Sequence, residues 1–153
     1  AEPDVELDIY ERSFAMPRVR MRRSLGCWLG LNQLFPVLGR KMIRERGFVS
    51  GLSLNSALML FCPAEITYEI QKQLEDSFPE KRVFVVTHSN DYWGYVVTPE
   101  DYRAGGYETC MNFYGREFSL FLVSQFRGMV LQGPVGEKSL SSGDGEGTPG
   151  SLF

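Results

Sequence analysis

Three kinds of side chain in this 153-residue sequence could carry chemistry. The first is a carboxylate, Glu65 in FCPAEITYEI, which could act as a metal ligand or general base. It could equally be an ordinary first-turn glutamate, held ionised by a helix dipole. The second is a group of phenols, Tyr92, Tyr95, Tyr102 and Tyr107. A phenol is a rare metal ligand but a good hydrogen-bond donor to a developing oxyanion. Clustered tyrosines also fill core edges with the hydroxyl near solvent. The third is His88, the single histidine. A catalytic zinc takes three protein ligands, commonly two or three of them histidines, so His88 reads as a strand-end residue rather than a ligand. A Ser–His–Asp triad has no nucleophile elbow to support it.

The elements that must position these groups follow from periodicity. VELDIYERSF alternates as a strand with Val5, Leu7 and Ile9 on one face. LFPVLGRKMIRERG reads as a short basic helix closed by Gly47. SALMLFC is a continuous apolar run, as in a strand covered on both sides. AEITYEIQKQLEDSF then spaces Ile66, Ile70 and Leu74 by four, an amphipathic helix with Glu65 at its N-terminal end. KRVFVVTHS reads as a central strand rich in β-branched residues.

Residues 56–88 therefore form a strand–helix–strand unit of a parallel sheet, with ligands expected beyond the carboxyl ends of its strands. Glu65 follows one such end; Tyr92 and Tyr95 follow the next. A short helix starts near Thr98 in TPEDY. A longer one covers about residues 116–131, with Phe118, Leu122, Phe126 and Met129 on one broad face. The fold class is α/β, a layered sheet flanked by helices. Residues 133–153, rich in Gly and Ser, read as a disordered tail.

Composition narrows the remaining classes. Hydrophobic residues make up 43% and charged residues 23%, as in ordinary globular chains. No apolar run approaches the roughly 18–20 residues of a membrane span. The sequence starts at AEPDVELDIY with neither an initiator Met nor a signal-like segment, so the chain is expected to be processed, trimmed or part of something longer. The net charge of −3 is uneven, with Arg18, Arg20 and Arg22 at alternate positions and Arg23 after them in PRVRMRRSLG. That pattern is a solvated strand face or, alternatively, a surface for phosphate or anionic membrane lipid. No nucleic-acid motif is present, and no nucleic-acid partner is expected. Cys27, Cys62 and Cys110 form no CxxC pair, which argues against a structural zinc cluster. Each reads as a small buried residue.

The order of motifs adds what single residues do not. CPAEITYEI followed by VFVVTHSNDYWGYVVTPEDYRAGGYETCMNFYG resembles the latter part of the catalytic domain of neutral ceramidases. That family pattern runs from a strand to a PGEFTT-like segment and a helix, then to an NxYxxYxTTxEEYxxQxYE-like segment and YGP. The resemblance covers about residues 56–128 and implies that residues 1–132 are the C-terminal portion of a ceramidase-like catalytic domain. Asn90, Tyr92, Tyr95, Thr98, Glu100, Tyr102, Tyr107, Glu108, Tyr114 and Gly115 fall in register. Departures are Ala64 for the family's glycine, Thr67-Tyr68 for its paired threonines, IQKQ where it has paired arginines, and GGYE where a glutamine precedes Tyr-Glu.

The resemblance implies a zinc-dependent amide hydrolase splitting a lipid amide such as ceramide into sphingosine and fatty acid. Glu65 and Tyr95 would be zinc ligands, and Tyr107 a catalytic residue supporting the oxyanion. The family's zinc-binding histidines and catalytic serine lie upstream, so the chain would hold half a metal site and need that missing catalytic region as partner. An extracytoplasmic or membrane-associated location is implied in the same way. The alternative is a non-catalytic α/β interaction or lipid-surface module built on the same scaffold.

Overall fold

The computed structural model describes residues 5–22, 27 and 45–135. In chain order the elements are β1 (Leu7–Ala15), β2 (Arg46–Leu54), β3 (Ala57–Phe61), β4 (Glu65–Ile66), α1 (Tyr68–Ser77), β5 (Arg82–Val86) and β6 (Tyr95–Val96). Three helices follow: α2 (Pro99–Ala104), α3 (Tyr107–Cys110) and α4 (Phe118–Leu131).

A four-stranded sheet runs β1-β2-β3-β5, and β4 pairs with β6 in a two-stranded sheet. β1, β2 and β3 are antiparallel neighbours, the last two joined through Asn55-Ser56 with Asn55 at φ 51°. Left-handed backbone in a two-residue hairpin turn is favoured by asparagine. β3 and β5 are parallel, joined by α1 as the strand–helix–strand pattern requires. The expected α/β class, with helices flanking a sheet, is the observed one.

Strand alternation assigns each face. Tyr10, Gly51, Leu60 and Val85 stand in one cross-strand row, and Ser53, Leu58 and Val83 in the next. This face is covered by α1 and α4, which supply Ile70, Leu74, Phe118, Leu122, Phe126 and Met129 to the core. Gly51 leaves room for this layer, since a Cβ there would stand 2.9 Å from the Met129 Cε. Phe14, Trp93, Tyr114, Phe118 and Phe121 extend the core as an edge-on and stacked aromatic group. On the opposite face the row Ile9, Leu52, Met59, Phe84 crosses all four strands, with Ile9 and Phe84 exposed.

Several sequence expectations are corrected. The face of Val5, Leu7 and Ile9 points away from the core, which β1 enters through Tyr10 instead. Gly47 closes no helix: it lies inside β2, and residues 34–44 of the expected basic helix fall outside the described residues. β3 is fully buried only at Leu58 and Leu60, because among the described residues one face alone carries helices. β5 is an edge strand rather than a central one. Ile66 belongs to β4, and α1 begins after Thr67, so only Ile70 and Leu74 of the expected stripe are helical and buried. Cys27 and Cys110 are joined in a disulfide across 83 residues, leaving Cys62 as the buried thiol. The α2 start at Thr98 and the four-residue face of α4 are as expected. Of the expected tail, residues 136–153 fall outside the described residues.

Candidate functional site

Glu65 and Tyr95 are partners in the β4–β6 ladder, so two residues thirty positions apart stand side by side. The register is set by a run of backbone bonds just beyond β3 and β5. The Cys62 N–H donates to the Val86 carbonyl (2.8 Å) and Ser89 N–H to Cys62 (3.0 Å). Trp93 N–H then donates to Pro63 (2.9 Å) and Glu65 N–H to Gly94 (3.0 Å). Trp93, fully buried, anchors the middle of this strap. Tyr95 is held from its other side by its N–H bond to the Met111 carbonyl (3.1 Å). Gly94 permits that approach: at φ +75° a Cβ would lie 2.5 Å from the same Met111 oxygen. Glu65 is therefore not in the first turn of a helix, and its placement comes from the ladder instead.

His88 joins this pair. It sits two residues beyond β5 with φ 56°, and its Nε2 lies 3.4 Å from Glu65 Oε2. Its ring stacks on Tyr92 at 5.6 Å with 9° between the planes. The Tyr107 ring meets Tyr95 edge-on at 5.8 Å. Tyr107 is 64% exposed at the start of α3. A hydrogen bond with the Glu65 carboxylate is the main cause that pushes the Tyr95 phenol up to about 12, with desolvation and the charges of Glu65, Tyr107 and Tyr92 adding to it. Burial raises Tyr92, helped by the charges of Glu65 and Tyr107. One carboxylate, one imidazole and three phenols thus converge beyond the carboxyl ends of the parallel strands, where ligands gather in such sheets.

Of the sequence candidates, Glu65, Tyr95 and Tyr107 come together. Tyr102 does not: Arg22 donates to the carbonyls of Tyr102 and Arg103 and lies over the Tyr102 ring. Residues 16–22 form no strand, so the arginines there do not make a solvated strand face, and Arg22 is a tether between segments. From the sequence, His88 reads only as a strand-end residue. Its position after β5, at the same sheet edge as Glu65, was the signal that could have added it to the cluster. The α3 segment that carries Tyr107 is fastened by the Cys27–Cys110 disulfide.

No protein-family model matches this chain, and no curated protein matches its sequence. Among solved structures, the fold is similar to neutral ceramidase from Pseudomonas aeruginosa, with a TM-score of 0.59 and 20% identity. That likeness covers 81% of this chain and 28% of the other. A ceramidase complexed with C2 also matches, at a TM-score of 0.49 and 25% identity, over 56% of this chain and 14% of that one. The chain thus spans under a third of either protein. The fold expected from the tyrosine-rich block, a portion of a ceramidase-like domain, is the fold observed.

Proposed function

We propose that this chain is part of a zinc-dependent amide hydrolase resembling neutral ceramidase, contributing Glu65 and Tyr95 to the metal site. The observation that carries this reading is the β4–β6 register, which sets a carboxylate and a phenol side by side at the ligand-gathering edge. The donor chemistry fits half a site. Zinc accepts carboxylate oxygen and imidazole nitrogen, while among the described residues no group of three or more His, Cys, Asp and Glu is assembled. The remaining ligands would come from an upstream catalytic region. Zinc bound there would polarise an amide carbonyl and lower the pKa of water to about 7.

This chain's own residues would then divide the work. Glu65 and Tyr95 would hold the metal, and the ladder that pairs them keeps the carboxylate and the phenol side by side. Tyr107, exposed and edge-on to Tyr95, would donate to the oxyanion as the carbonyl is attacked. The substrate class is a lipid amide such as ceramide. The apolar row from Ile9 to Phe84, with both of its ends exposed, supports a further layer of polypeptide over this face of the sheet. The Cys27–Cys110 disulfide supports an oxidising, extracytoplasmic compartment.

Zinc content and labelled-ceramide cleavage by the intact gene product test this reading. Stoichiometric zinc and cleavage are expected, with both strongly reduced in Glu65→Gln and Tyr95→Phe. Intact protein that holds no zinc and cleaves no amide would instead support the non-catalytic module, which the substitutions at Ala64 and Thr67-Tyr68 favour.

A further inference from the structure

The Glu65–His88 contact is a poor hydrogen bond but good ligand spacing. N–H···O bonds cluster near 2.9–3.0 Å, and the 3.4 Å between His88 Nε2 and Glu65 Oε2 is well beyond that. Two ligands at about 2.0–2.1 Å from one tetrahedral zinc are themselves separated by about 3.3–3.4 Å. The imidazole is also held in place. Its ring lies flat on Tyr92, and the left-handed backbone at His88 fixes the direction from which the side chain leaves the strap. Both groups are open to solvent, His88 by 50% and Glu65 by 38%, so an ion could enter without rearrangement of the core. Tyr95 stands beside Glu65 as its partner in the β4–β6 ladder, so its side chain leaves the sheet on the same side as the carboxylate.

We propose that His88 is a third metal-binding residue, so that Glu65, His88 and Tyr95 form a divalent-cation site of the zinc class within this chain alone. The inference rests on the reading of Glu65 and Tyr95 as ligands and extends it. It assigns the imidazole a function beyond that of a strand-end residue. It also makes the metal affinity of the isolated chain measurable without any upstream region.

The test is zinc titration of the 153-residue chain, followed by chelator competition and by the imidazole signals in a long-range ¹H–¹⁵N spectrum. Those signals are unambiguous because the chain has one histidine. Variants are Glu65→Gln, Tyr95→Phe and His88→Asn, the last chosen because asparagine tolerates left-handed backbone. One zinc per chain is expected, with the Nε2 resonance moving on saturation. Affinity should fall in all three variants by at least about 100-fold, the upper end of what loss of an outer-shell partner costs. If Glu65→Gln and Tyr95→Phe weaken binding while His88→Asn does not, His88 is no ligand and the half-site reading stands. If only His88→Asn weakens it, zinc sits on the imidazole alone, and both readings fall. Wild-type chain that binds no zinc overturns this inference, while the intact gene product still decides the half-site.

Discussion

Gly94→Ala should be among the most damaging small substitutions near the site, and two separable effects set its size. The first is backbone: at φ +75° an alanine sits in left-handed space, which costs about 1–2 kcal/mol. A smaller unfolded-state entropy offsets about 0.4–1 kcal/mol of that. The second is steric. The new Cβ would stand 2.5 Å from the Met111 carbonyl and 2.8 Å from Phe113 Cε2. That carbonyl cannot retreat without stretching its bond from the Tyr95 N–H. Overpacking of this kind costs about 1–3 kcal/mol, so the sum is about 1–4.5 kcal/mol.

Gly133→Ala isolates the first effect, since Gly133 has φ +83° and nothing within 4 Å of its Cβ position. Urea denaturation of both variants, compared at unchanged m-value, reads the difference directly. The Gly94 variant should be the less stable by about 1–3 kcal/mol, the overpacking share alone. If the two lose equal stability, the Met111 carbonyl is not a fixed wall, and the account of how Tyr95 is held is wrong.

Reduction of the Cys27–Cys110 bond releases a loop closed across 83 residues, for which chain entropy alone gives about 4.5 kcal/mol. A urea midpoint unmoved by reductant would contradict this. The Cys62 thiol, pushed up to about 12 mainly by burial, should resist alkylation at pH 8 until the protein unfolds. The unfolded thiol ionises from about pH 9 while the native one stays protonated to about 12. Stability should therefore be unaffected by this group below pH 9 and fall by about 1.4 kcal/mol per pH unit between the two values. Cys62→Ala should remove that slope. Thr98→Ala removes the cap that accepts from Asp101 N–H at 3.1 Å and should cost about 1 kcal/mol by thermal or urea unfolding.

What was legible in the sequence depended on the range of the interaction involved. The α4 face of Phe118, Leu122, Phe126 and Met129 could be read because its spacing is local and its burial follows from one helix period. The Thr98 cap could be read because proline and two acids mark a helix start within four residues. The position of β5 at the edge could not, because a run of β-branched residues records burial of side chains and not the number of neighbouring strands. Nor could the Cys27–Cys110 pairing, since sequence spacing does not determine connectivity. Ile66 looked helical because it falls four residues before Ile70, yet the Thr67 cap lies between them and starts the helix one residue later.

The Glu65–Tyr95 pairing is the extreme case of a long-range feature. A two-residue strand is too short for any periodicity to register. A slip of one position would turn Tyr95 to the opposite side of its strand from Glu65. The bonds that prevent it, Glu65 to Gly94, Trp93 to Pro63 and Tyr95 to Met111, all join segments distant in sequence. The motif order could anticipate their meeting because a family pattern stores the lengths of the connecting segments, which is where the register is encoded. It carried no information on His88, whose place beside Glu65 depends on a left-handed turn after β5 and a stacking partner in Tyr92. The residues that bring the site together are thus the strap's buried and turning positions, Trp93 and Gly94, as much as the groups that face the solvent.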